Sequence, residues 1–92
     1  MTIKEVRSLF ENSNIWKQWS NDDFNAMYVC SDAVAEVTFW NDNSERFYML
    51  VSISNVHFES VINADECSFR EGFLRFKGFV LYVGYDTQEI PF

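Results

Sequence analysis

Ninety-two residues and 10.9 kDa allow one domain, near the small end of what folds unaided. Hydrophobic residues at 48% and charged residues at 23% exclude a disordered chain, a collagen and a coiled coil. Fourteen acids against seven bases leave a net charge of -7, which disfavours nonspecific contact with nucleic acid or an anionic membrane and favours a basic partner or plain solubility. The unusual figure is an aromatic content of 18%: ten Phe, four Tyr and three Trp.

No apolar run reaches the roughly 18–20 residues of a membrane span. The start, Met1-Thr2-Ile3-Lys4-Glu5-Val6-Arg7, is charged and has no signal-peptide core, so a cytoplasmic protein is expected. Cys30 and Cys67 are too few to staple a secreted scaffold and read as reduced, half-buried small hydrophobes.

Thr2 and Glu5 have capping-box spacing, with Met1 and Val6 placed as a hydrophobic staple. Ile3, Val6, Leu9 and Phe10 continue at helical period, so a helix is expected over about 3–12, ended by Asn12-Ser13-Asn14. Ile15 and Trp19, four apart, suit one further helical turn that closes at Ser20-Asn21-Asp22-Asp23. From Phe24 the period becomes two. Strands are expected over 24–30, 35–40 and 46–53, with Asn41-Asp42-Asn43-Ser44 as a hairpin loop between the second and third. Ser31-Asp32 is a weaker turn, and 24–40 also reads as one long bent strand. Asn55 marks a bulge, with alternation resuming at Val56 and Phe58. Asn63-Ala64-Asp65-Glu66 is the next turn. Short strands follow at 67–70, 73–77 and 79–85, separated by Glu71-Gly72 and by Gly78. Residues 86–92 read as a surface tail.

The expectation is a single α+β domain: an N-terminal helix plus a short helical turn, over 2–20, packed on a curved antiparallel meander of about five strands over 24–85. Several strands are apolar on both sides, and one helix covers only one face. The sheet therefore either curls towards a barrel or leaves aromatic surface for a partner.

Catalytic and metal chemistry has little to stand on. His57 is the single histidine and reads as a satisfied strand residue. With Cys30 and Cys67 it leaves a zinc site one ligand short. The acids of the 41–45 loop lack the length and central Gly of a calcium loop. Lys77-Gly78-Phe79 matches the start of an RNA-recognition motif, but Val80 and Leu81 break it. No cofactor, metal site or direct nucleic-acid contact is expected.

The acids fall largely at element ends: Asp22, Asp23, Asp32, Asp42, Glu45, Asp65, Glu66, Asp86 and Glu89. In size, acidity and aromatic content the chain resembles small acidic inhibitors, such as phage anti-CRISPR and anti-restriction proteins or the immunity proteins of nuclease toxins. The likeness is one of composition. It implies a stoichiometric inhibitor that occludes a basic site, with Trp16, Trp19, Trp40 and Tyr48 as anchors and Asp22, Asp23, Asp42 and Glu45 as steering charges. Two other readings stand beside it: an oligomerisation module that pairs its apolar sheet face, and a ligand-binding domain with an aromatic pocket.

Overall fold

The computed structural model describes residues 1–30 and 34–84. The predicted Ser31-Asp32 turn and the 86–92 tail lie outside the described residues, as do Asp32, Asp86 and Glu89. The chain is α+β: helix α1 (Ile3–Glu11), then β1 (Trp16–Asn21), β2 (Asn25–Cys30), β3 (Ala35–Trp40), β4 (Arg46–Ile53), β5 (Val56–Asn63), a 3-10 turn (Ala64–Glu66), and β6 (Ser68–Arg70), β7 (Phe73–Phe76) and β8 (Phe79–Tyr82). β1 to β5 form one antiparallel sheet in sequence order, and β6 to β8 form a second.

α1 begins as its capping box requires. Glu5 N–H donates to Thr2 Oγ1 at 3.2 Å, and Thr2 N–H donates back to Glu5 Oε1 at 2.8 Å. Its buried face is Val6, Leu9 and Phe10.

Three expectations are corrected here. The first is the helical turn over 15–19, which is strand β1. Ser13 Oγ accepts hydrogen bonds from the Ile15 and Trp16 N–H groups, both at 3.0 Å, and donates to Val83 O, so the chain leaves the helix at a right place to pair with β2. Gln18 then faces Tyr28 and Ser20 faces Met27, which leaves Trp19 as the extra residue of a β-bulge. That one inserted residue destroys the alternation and makes Ile15 and Trp19 look helical.

The second concerns the last three strands. The expected antiparallel sheet of about five strands is present as β1 to β5, but the meander does not stay in it to its end, because the 3-10 turn redirects the chain and β6 to β8 pair only among themselves. Positive φ at Glu71 and Gly72 (55° and 87°), and at Lys77 and Gly78 (44° and 76°), closes two hairpins with two-residue turns. Asn55 sits in a similar turn between β4 and β5, where Ile53 faces Val56, rather than in a bulge. The described residues within 24–40 form two antiparallel strands, β2 and β3, and not one bent strand.

Both α1 and the second sheet cover the same, inner face of the large sheet. The core runs as a chain of ring contacts. Phe10 meets Trp16 edge-on at 5.0 Å and Phe39 at 5.7 Å; Phe39 stacks on Phe47 at 5.4 Å; Phe47 reaches Phe76 at 6.0 Å; and Phe58 closes on Phe79 at 4.2 Å. Much of the aromatic content of the described residues is therefore internal. Cys67 belongs to this core, and burial pushes its thiol up to about 11, so it is an unreactive hydrophobe.

Trp16 is 3% exposed and donates its indole N–H to Tyr82 O at 3.0 Å. Gly84 (φ 89°) crosses beside it, where an added Cβ would lie 2.7 Å from Asn14 Oδ1 and closer still to the Ile15 side chain. Trp16→Ala is expected to cost about 3–5 kcal/mol in chemical denaturation, and Gly84→Ala about 1–3 kcal/mol, because it adds a clash to a left-handed backbone. Trp19→Ala should change stability by no more than about 0.5 kcal/mol.

Candidate functional site

The outer face of the five-stranded sheet follows from the register. One row across it reads Ser20, Met27, Thr38, Tyr48, Val61, and the next reads Lys17, Val29, Glu36, Leu50, Glu59. Trp40 and Arg46 lie beyond the first row, with the Arg46 guanidinium 5.7 Å over the Trp40 ring. Both layers that complete the core lie on the opposite face, so Met27, Val29, Trp40, Tyr48 and Leu50 remain half-buried and open to solvent on one side.

Three predicted anchors reach this face. Trp40 and Tyr48 point out of β3 and β4, and Tyr48 donates its hydroxyl to Glu59 Oε2 at 2.7 Å. Glu59 raises the Tyr48 pKa through that bond, so the phenol stays protonated at neutral pH. Trp19 is carried to the edge of the face by the β1 bulge and is 73% exposed. Trp16 does not join them. Its ring faces inward against Phe10, and it drops from the contact set for the same reason that it holds the fold.

The predicted acids converge, but mostly in structural roles. The 22–24 turn and the 41–45 loop lie at one end of the sheet and touch: Asn41 N–H donates to Phe24 O, and the Asn41 side-chain amide donates to Asp22 O, each at 2.9 Å. Asp22 Oδ1 accepts from the Asn25 and Phe24 N–H groups at 2.9 and 2.8 Å, which holds its carboxyl below the usual range. Ser44 lies beside Asp42 and does the same, its backbone N–H donating to Asp42 Oδ1 at 3.0 Å. Glu45 Oε1 accepts Ile3 N–H at 3.1 Å in the first turn of α1, where a helix favours negative charge. Asp23 is exposed, and no hydrogen bond or ion pair holds its side chain among the described residues. Ala64 N–H donates to Glu45 O at 2.9 Å, so Asp65 and Glu66 of the 3-10 turn join the same acidic end.

Several surface residues were missed by sequence reasoning. Phe24 is 78% exposed in the β1–β2 turn, directly after Asp22 and Asp23. Glu36, Leu50 and Glu59 share the outer face with Val29 and Val61. The strand alternation carried this signal, since Glu36 and Glu59 occupy the phase opposite to Val37 and Phe58. His57, also exposed on β5, lies 3.7 Å from Glu59 Oε2. Among the described residues, no three His, Cys, Asp or Glu side chains gather to hold a metal, and no helix is long and apolar enough to cross a membrane.

The depressed carboxyls set a pH dependence. Asp22 and Asp42 have folded values below the ordinary 3.8, and Glu5, bonded to the Thr2 backbone and hydroxyl, lies below 4.5. A depressed carboxyl stabilises the fold fully above its unfolded value and loses that contribution as pH falls through its folded one. The loss of melting temperature in Asp22→Ala, read by thermal denaturation, is therefore expected to be largest at neutral pH and to shrink below pH 3.8.

Comparison with protein-family models, with curated proteins and with solved structures returns no match, and the functional reading rests on this geometry.

Proposed function

We propose that the protein is a stoichiometric inhibitor that occludes a basic site on a nuclease or another nucleic-acid-handling enzyme in the cytoplasm. The action resembles that of anti-CRISPR, anti-restriction or toxin-immunity proteins. The observation that supports this reading is the outer face of the five-stranded sheet. It keeps Trp40, Tyr48 and Leu50 open to solvent while α1 and the second sheet fill the inner face. A small domain that leaves two aromatic rings and a strip of aliphatic side chains on one face has a surface of the composition found at interface cores.

The acidic end adjoins this face through Trp40, which follows Phe39 at the edge of the 41–45 loop. A negative rim beside an apolar centre suits capture of a cationic groove: charge speeds the encounter, and the aromatic centre slows dissociation. The role is one of binding, with no catalytic group assigned. The same apolar face also fits a second copy of the chain, which is the competing outcome of the test.

Affinity capture from lysate at about 0.05 M and 0.5 M salt, where screening length falls severalfold, separates the two. The reading expects one nucleic-acid-handling protein, held less tightly in high salt and inhibited at equal stoichiometry. Asp23→Lys with Asp65→Lys should slow association severalfold and leave dissociation unchanged, since neither carboxylate holds a turn. Trp40→Ala should speed dissociation about tenfold or more. Recovery of the bait alone, running as a dimer, would overturn the reading.

A further inference from the structure

Beside Trp19 the outer face sinks into a groove of about 290 Å³, lined by Trp19, Val29, Val34, Glu36, Leu50 and Ser52. The volume lies just below that of small-molecule sites and suits a single long side chain. Three features define what it would hold. The wall is an indole exposed by a β-bulge, a device that re-aims a side chain where a regular strand would not place it. The floor and sides are aliphatic, from Val29, Val34 and Leu50.

The third feature is Glu36, half-buried between Val29 and Leu50 in the central strand, with no hydrogen bond or ion pair to its carboxylate among the described residues. Lys17 stands two strands away in the same row and makes no ion pair with it. A carboxylate held partly out of water on an apolar surface is costly unless a cation meets it.

We propose that this groove is the receptor for one arginine side chain of the partner. The aliphatic stem would lie on Val29 and Leu50, and the guanidinium would sit between the Trp19 ring and the Glu36 carboxylate. Arginine fits better than lysine because its planar fork both stacks on an indole and pairs a carboxylate through two N–H donors. The same face already holds a guanidinium over its other tryptophan, with Arg46 on Trp40, whereas no cation of the described chain lies over Trp19. The proposal rests on the inhibitor reading for its partner, and it names the chemistry by which that partner's basic surface is recognised.

The test uses the intact protein and three probes with the same alkyl chain: n-butylguanidinium, n-butylammonium and n-butylurea. Each is titrated while the Trp19 indole N–H resonance, assigned with Trp19→Phe, is followed by NMR. Butylguanidinium is expected to shift it saturably with Kd on the order of millimolar. Binding should weaken about fivefold or more in Glu36→Gln, a near-isosteric change that leaves the amide spectrum dispersed, and should vanish for Trp19→Ala when read by the Leu50 amide. Absence of saturation, equal binding of butylurea, or indifference to Glu36→Gln would overturn the proposal. Equal binding of butylammonium would overturn the arginine assignment. The titration needs no partner, so its failure leaves the inhibitor reading standing. Conversely, a captured partner whose affinity ignores Glu36→Gln and Trp19→Ala removes the groove and not the inhibitor.

Discussion

The Trp16 indole joins all three layers of the molecule. Its ring packs edge-on against Phe10 of the helix, its backbone pairs with Cys30 in the large sheet, and its N–H bonds Tyr82 O at the end of the second sheet. Ser13 and Gly84 brace the same junction, one by hydrogen bonds to the strand start and to Val83, the other by presenting no side chain to Ile15. A chain of this length has little core to spare. By drawing both covering layers to one side, the junction closes the inner face with aromatic contacts and leaves the outer face with a single layer. What is open to a partner follows from how the core is completed.

That asymmetry also explains the aromatic content. Phe10, Phe39, Phe47, Phe58, Phe76 and Phe79 are spent on the inner chain of contacts, where ring edges and faces fill the space between a twisted sheet and two dissimilar covers. The acids divide in a similar way. Asp22, Asp42 and Glu45 hold backbone N–H groups in turns and at the helix start, while Asp23, Asp65 and Glu66 are surface charge on the same end. Charge placed to close turns thus produces the negative end as a by-product of the topology.

The sequence disclosed what local chemistry controls. The capping box and apolar period of residues 2–11 placed α1 within a residue, and the Asn-Asp cluster of the 41–45 loop and the Glu71-Gly72 turn were legible because those residues favour left-handed or locally bonded backbone. It hid what depends on distant partners. The Trp19 bulge imitates a helical spacing, the split into two sheets is decided by the redirecting 3-10 turn, and the burial of Trp16 is decided by Tyr82, sixty-six residues away. Of the proposed contact residues, Trp40 and Tyr48 were readable from strand phase. Glu36 and Leu50 were equally readable, but their significance appears only when the register sets them beside Trp19.

The central claim is that the outer face of the five-stranded sheet, and not the second sheet, meets the partner. Hydroxyl-radical footprinting of side chains, with and without the captured partner, tests it most directly. The account predicts that Trp19, Trp40, Tyr48 and Leu50 lose reactivity in the complex, while the exposed pair Phe73 and Tyr82 on the second sheet keeps it. Protection of Phe73 and Tyr82 with Trp19 and Trp40 unchanged would contradict it.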